Sequence, residues 1–572
     1  MSRITLHATR FDEARCDLKA AGPSLPNRSN PMSERHEGPS RLISFGACFM
    51  AAVGGFLFGY DIGVISGALL SIEREFQTSD FVAELITAGV LVGAMIGASL
   101  GGVLADRLGR RRSNMAAGIV FAVGAVFLGF VPDTDWLIAG RVLIGIGVGI
   151  ASVVGPLYIS ETSPAEKRGG RVSLFQFAIV FGILAAYVVD AFFTGVPDGW
   201  RWMFALGGLP GILLFVGFLG MPASPRWLVM KQRTDEAETV LRSLIPADRV
   251  ADAISRIKQD VDRAASGGRV RLADVPGIRL ALTVALGLAA LQQFVGINTI
   301  LFYAPILFHH AGFKTDSAAL AATVGLGLVN LLATLVALRY ADRAGRRPLL
   351  LWGTAGMTIS LAAIAIGFAV MGDADASTSI SKAPHTGHTP AAANHHLTSS
   401  EASTSPSATA TAATTATNDG ISGTPVTSGS TETGDTISFL AIVILVFTAL
   451  FVACFAFSLG PITWTMISEI FPNEVRDRCV SLAASLNWGS NFVISLTFLS
   501  LLDFLGPAMT FSVYGLIGFL GLIWIWRVIP ETKGYTLEEI EENLARGNRT
   551  NWLPPAAVAS PADSEPGITT DS

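Results

Sequence analysis

The chain is short of charge. Asp, Glu, Lys and Arg make up 15% of its 572 residues, where a soluble globular domain carries about 25%. A water-facing surface cannot be assembled from so few charges. Cysteine is equally scarce. Cys16, Cys48, Cys454 and Cys479 stand far apart with no CxxC pair, which excludes a disulfide framework. There is no P-loop, no nucleophile elbow and no metal-ligand spacing, so neither an enzyme nor ATP as energy source is expected. Residues 1–41 hold several charges and no apolar core, so no secretory signal peptide is read there. Met1 and Met32 are both candidate starts. What the chain has in quantity is apolar residues, 51% of the total, with a mean hydropathy of +0.51. By bulk alone it belongs in a lipid bilayer.

Apolar runs of spanning length fall at 43–70, 83–105, 114–131, 135–158, 172–194 and 201–221. After a polar stretch, 222–278, six more follow at 279–308, 318–340, 348–371, 437–465, 479–503 and 508–529. A span needs roughly 20 residues, so the pattern is twelve transmembrane helices, six and six, in an all-α membrane protein. Of the 40 Lys and Arg, 35 fall on the side that holds both termini. The positive-inside rule makes that side cytoplasmic. The domain reading is a disordered N-terminus 1–42, a six-helix bundle 43–221, a linker 222–278 with short helices, a second bundle 279–529 and a tail 530–572. Residues 373–436 interrupt the second bundle. They are Ser/Thr/Ala-rich and nearly free of large apolar side chains, a composition that stays disordered, on the extracytoplasmic side. His385, His388, His395 and His396 within that tract have no fixed geometry for a metal.

One acid sits in the middle of the first run, GGFLFGYDIGVISGALL (54–70). A carboxylate at mid-membrane costs about 2.5–3.5 kcal/mol on insertion scales. Asp61 therefore requires a partner, a proton or a cavity. Gly55, Gly59, Gly63 and Gly67 recur every four residues, as do Gly89, Gly93, Gly97 and Gly101. Small residues at that spacing let membrane helices approach backbone to backbone. Asp61 lies about 200° around the helix from Gly59, facing away from the ridge and toward a cavity.

The chain also repeats itself. DRLGRR (106–111) returns as DRAGRR (342–347), ISETSP (159–164) as ISEIFP (467–472), and PASPR (222–226) as PETKG (530–534). The offset grows from 236 to 308, and the polar tract supplies most of the growth, so it is an insertion into the second copy. Parallel halves of this kind place a substrate site near the midplane between them. The repeated motifs carry both signs: Asp106, Arg107, Arg110, Glu161 and Arg168, then Asp342, Arg346, Glu469 and Arg476. Such charges, paired across helix ends, can latch the cytoplasmic face and break as the halves rock.

On GYDIGVISGAL (59–69), DRLGRR, GRVLIGIGVGI (140–150), PASPRWL (222–228), QQFVGIN (292–298), DRAGRR, SEIFP (468–472) and PETKG, the chain resembles the sugar porter family of the major facilitator superfamily. The resemblance covers 43–372 and 437–541. It implies a major facilitator fold with two pseudo-symmetric bundles, and symport by alternating access. Proton-coupled members resemble this chain in carrying Asp at the position of Asp61, where facilitative carriers have Asn, and they pair it with the counterpart of Arg141. A carboxylate that moves between a guanidinium and a drier setting can carry a proton across, while Arg stays charged. The resemblance further implies sugar contacts from Phe58, Gln176, Gln292, Gln293, Asn298, Asn330, Trp464, Asn487 and Trp488, and a gating pair, Phe302 and Tyr303. Amides and aromatic faces suit a neutral polyol. For any one of these amides, a helix–helix hydrogen bond is the alternative.

Two departures stand out. The first-half motif, PESPR in the family, is here PASPR, without its acid. Ile183 occupies a position that is Gln in a bacterial xylose–proton symporter, which weakens a claim for xylose in particular. The expectation is a proton-coupled symporter for a monosaccharide or polyol, monomeric, multi-pass in the plasma (inner) membrane, with protons as coupling ion, no other cofactor and no nucleic-acid partner. A facilitative uniporter and a transporter-like sugar sensor are the alternatives.

Overall fold

A computed structural model describes residues 41–164, 168–266, 271–381, 439–472 and 475–546. The readings made on 1–40, on 382–436 with its four histidines and on 547–572 lie outside these residues, as do the side chains of Arg168 and Asp342.

The described residues form helices. In the first half, α1 (Arg41–Phe76), α2 (Asp80–Arg107), α3 (Arg110–Leu128), α4 (Thr134–Thr162) and α5 (Arg168–Phe193) are followed by α6 (Gly199–Leu206) and α7 (Gly208–Leu219), one broken crossing. Short helices α8 (Pro225–Met230), α9 (Thr234–Leu244) and α10 (Val250–Ser266) occupy the stretch between the halves. In the second half, α11 (Ile278–Phe294) and α12 (Ile297–His310) make one crossing, α13 (Asp316–Ala344) and α14 (Arg346–Ser381) one each, and α15 (Phe439–Phe457) with α16 (Leu459–Glu469) another. The last long helix, α17 (Arg476–Val528), is two crossings joined at Gly506, where φ is 76° and Pro507 comes next. α18 (Leu537–Ala545) closes the described chain, its Thr536 and Glu539 forming a capping box.

Ten of these stretches are long and apolar enough to span a bilayer. Dividing α17 at Gly506 and adding α3, whose three leading arginines depress its hydropathy, gives twelve crossings. One boundary differs from the sequence reading: α14 runs to Ser381, past the start of the tract read as disordered from 373. Once nucleated, a helix extends at low cost through Ala- and Ser-containing sequence.

The glycine ridges pack as their spacing implies. The ridge of α1 lies on α5 and that of α2 on α4. A Cβ at Gly59 would sit 1.7 Å from the carbonyl oxygen of Ile179, and one at Gly93 would sit 2.0 Å from that of Val142. Both contacts are possible only for hydrogen. The backbones touch, which is how helices associate in a solvent as apolar as their own side chains. The halves meet along α1 with α12, α2 with α17, and α5 with α13.

Candidate functional site

With its glycine face on α5, α1 turns Asp61 toward α4. The Nη1 of Arg141 donates to Asp61 Oδ1 at 2.5 Å, and its Nε donates to the carbonyl oxygen of Ile86 on α2 at 3.3 Å. Asp61 is 2% exposed and Arg141 fully buried. The guanidinium also lies over the Phe204 ring, 5.7 Å from its centroid. The cavity expected beside Asp61 is thus filled here by its counter-ion. The other guanidinium nitrogen, Nη2, is buried with no hydrogen-bond partner among the described residues. A buried ion pair of this sort adds little net stability, and removing either member leaves a stranded charge. Such a pair is suited to being broken and remade.

Three residues before Asp61 on the same helix, Phe58 packs at a tilt against Trp488 of α17, the ring planes 41° apart and the centroids 5.4 Å apart. This contact carries the site across to the second half, where the expected amides form a chain. Asn298 donates to Gln293 at 2.8 Å, Gln293 to Asn487 at 3.2 Å, and Asn487 to Gln292 at 2.8 Å and to the Ala289 carbonyl at 2.9 Å. Gln292 ends the chain on the carbonyls of Leu459 and Gly460 at 2.7 and 3.2 Å.

Two helix breaks make this possible. Gly296 takes φ of 85° between α11 and α12, and Ser458 is non-helical between α15 and α16, just before Gly460 and Pro461. A broken helix at membrane depth is tolerated where neighbours satisfy its backbone, and Gln292 does so here. Gln176 on α5 is half-buried, Asn330 on α13 is buried, and Trp464 on α16 is 38% exposed. None of these three has a hydrogen-bond partner among the described residues, so their polar groups are available to a ligand. Phe302 and Tyr303 are buried, and the Tyr303 hydroxyl donates to the Ser495 carbonyl at 3.0 Å.

Among the described residues, Asp106, Arg110 and Glu161 pair within the first half and Arg346 with Glu469 within the second, knitting helix ends together. Arg110 Nε lies 2.9 Å from Glu161 Oε2, and Arg110 Nη1 lies 3.3 Å from Asp106. Ser224 of PASPR donates to Glu161. In the second half Arg346 bonds Glu469 at 2.9 Å, and Thr532 of PETKG donates to Glu469 at 2.7 Å. Arg476 donates to the Phe471 carbonyl at 2.9 Å. Arg107 is exposed.

The hydrogen bonds and ion pairs that join the halves lie toward the opposite end. Arg74 at the end of α1 makes a bidentate pair with Asp316 at the start of α13, the second bond 2.6 Å long. His309 Nε2 lies 3.0 Å from the same carboxylate. Glu84 on α2 accepts from the backbone N–H and the hydroxyl of Ser500 on α17 at 2.9 and 2.7 Å. Tyr187 on α5 donates to the Leu301 carbonyl at 2.7 Å. Sequence reasoning passed over Glu84, and also Asp190 on α5, which is buried and accepts from Gly67 N at 3.0 Å. Each is an acid inside an apolar run, the signal that marked Asp61.

The sequence profile described as "Sugar (and other) transporter" matches residues 47–384 and 410–544. The chain is 35% identical over 508 residues to a D-xylose transporter of Levilactobacillus brevis, covering 88% of this chain and 96% of that protein. It is 33% identical over 526 residues to the galactose-proton symporter of Escherichia coli, covering 91% and 98%. The solved structure of the xylose transporter XylE from E. coli, in a partially occluded inward-open conformation, superposes with a TM-score of 0.65 at 28% identity, covering 86% of this chain and all of that one. Two bundles with repeated loop motifs, an amide-lined helix break in one and an ion pair in the other, together with these matches, lead to one conclusion: the chain belongs to the sugar transporter family, the sugar porters of the major facilitator superfamily.

Proposed function

We propose that this protein is a proton-coupled symporter for a monosaccharide or polyol. The observation that carries the reading is the buried Asp61–Arg141 pair, one helical turn from the aromatic contact that reaches the amide chain. Proton and sugar sites are then neighbours on α1, and a change in one alters the packing of the other.

In this reading the arginine-loop end faces the cytoplasm of a cell whose plasma (inner) membrane holds the protein, and both termini lie inside. On this assignment the end closed by Arg74–Asp316 and Glu84–Ser500 is the outer face, and the arrangement corresponds to an inward-facing state of the cycle. Outside, Asp61 takes up a proton and releases Arg141 while sugar engages Gln176, Gln292, Gln293, Asn298, Asn330, Asn487 and the Trp464 and Trp488 rings. The halves rock, Phe302 and Tyr303 close behind the sugar, and the proton leaves inward as Arg141 recaptures Asp61. Each charge moved down a membrane potential contributes about 2.3 kcal/mol per 100 mV, enough for tens-fold accumulation. The galactose-proton symporter among the relatives supports coupling. Ile183, where a bacterial xylose–proton symporter has Gln, leaves hexoses and polyols as favoured as xylose.

The test is Asp61→Asn in proteoliposomes with an imposed pH gradient. Uphill uptake is expected to vanish while sugar exchange survives. Continued accumulation by that variant would refute coupling, and a sugar-driven rise in external pH in the parent separates symport from uniport.

A further inference from the structure

Two of the joins at the outer end, Arg74–Asp316 and Glu84–Ser500, differ in worth. Arg74 is 63% exposed, and an ion pair open to water contributes only about 0–1 kcal/mol. Glu84 is fully buried. Its two carboxylate oxygens are both used, one by a main-chain N–H and one by a hydroxyl, and both donors belong to a single residue of the other half. Hydrogen bonds to a charged acceptor are roughly twice as strong as neutral ones. Parting the halves here would strand a carboxylate at the mouth of an apolar interface until water reached it. The barrier is local, directional and specific to the closed outer face. Glu84 has no such partner within its own half among the hydrogen bonds of the described residues.

We propose that Glu84 is a positioning residue of the transport cycle. It holds the outer face shut through Ser500, and its release from Ser500 is a required step in opening outward. The proposal rests on the alternating-access reading above. Removing the lock shifts the resting population toward the outward-facing state. External sugar then meets more competent binding sites, while the inward turn, which remakes the lock, is slowed.

The experiment places a reporter by Leu301→Cys, with the native cysteines replaced by serine, and measures its reaction with a membrane-impermeant thiol reagent added outside. No sugar and no gradient are present, so a failure of proton coupling would leave this readout intact and be distinguishable. In Glu84→Ala the labelling rate is expected to rise about fivefold, the response of a two-state equilibrium to loss of one state's private contact. In uptake assays of the parent chain the same substitution is expected to lower both KM and kcat, whereas a merely damaged fold lowers kcat alone. Ser500→Ala, which keeps the backbone donor, and Glu84→Gln, which keeps one acceptor, should move labelling in the same direction by less. The proposal is overturned if Glu84→Ala reaches the membrane and labels at the parental rate. Should Glu84→Ala fail to fold, parental labelling in both milder variants overturns it equally.

Discussion

Asp61 and Arg141 hold each other in a place where neither would remain alone. The carboxylate receives a single strong hydrogen bond from the guanidinium, while Arg141 has in addition the Ile86 carbonyl and the face of Phe204. The two residues are therefore unequal. Arg141→Gln leaves a buried carboxylate without its counter-charge, a loss of about 3–5 kcal/mol for a broken buried pair. Asp61→Asn leaves a cation that still has a carbonyl and a ring. The expected outcome is that Arg141→Gln lowers the thermal midpoint of the purified protein more than Asp61→Asn does. Adding Asp61→Asn to Arg141→Gln should recover most of the loss. An additive double variant in the same melting series would show that the two side chains do not act as a pair. This much of the site was legible because an acid in an apolar run is improbable without a reason. Glu84 and Asp190 pose the same question, but no motif surrounds them, and their partners at Ser500 and Gly67 are neutral and distant in sequence. Hydrogen bonds between a carboxylate and a main-chain N–H leave no trace in side-chain identity.

At the scale of the element, the duplication shows which contacts the loop motifs exist to make. Arg110–Glu161–Ser224 in the first half corresponds to Arg346–Glu469–Thr532 in the second. Arg111 donates to the Phe218 and Leu219 carbonyls at the end of α7, as Arg347 does to that of Trp526 near the end of α17. One member is missing. Glu531 of PETKG accepts from the N–H groups of Arg346 and Arg347 at 2.9 and 3.1 Å, capping the start of α14. Its counterpart in PASPR is Ala223, and α3 begins at Gly109 with no side-chain cap. Loose helix starts leave N–H groups unsatisfied, and a carboxylate there also meets the positive end of the helix dipole. Ala223→Glu is expected to stabilise the protein by about 0.5–2 kcal/mol, the usual worth of a cap, read as a higher thermal midpoint. No gain would mean that the second-half geometry does not transfer. The missing acid was visible in the sequence, but its effect was not. In the structure its absence is a missing cap within the first half, at the start of α3. Helix breaks were legible where Gly and Pro mark them, at Gly296, Gly460–Pro461 and Gly506–Pro507. The continuation of α14 to Ser381 was not, because weakly helical polar residues can extend a helix that tertiary packing has already nucleated.

For the whole molecule, the division of labour is between ties inside each half and ties across them. Those within a half use charges that repeat with the duplication, so they could be found by comparing the chain with itself. The cross-half ties found here, Arg74–Asp316 and Glu84–Ser500, join unlike partners, so self-comparison did not reveal them. Arg74, Asp316 and His309 form one such tie. Three elements meet at one carboxylate, and the pair is open enough to water that its strength depends on ionic strength, with a screening length of about 8–10 Å near physiological salt. Arg74→Glu sets two acids against each other and is expected to raise outside labelling of a cysteine at Leu301 by about twofold to fourfold, in keeping with the small worth of exposed pairs. The swapped double variant, Arg74→Glu with Asp316→Arg, restores attraction along the same line. It is expected to return labelling part of the way, since His309 then faces a guanidinium where it had a carboxylate. High external salt should shrink both effects while leaving that of Glu84→Ala, whose lock is buried, nearly unchanged. Equal salt sensitivity of the two locks in the same labelling assay would contradict their assignment as one exposed tie and one buried one, and with it the account of how the outer face is held shut.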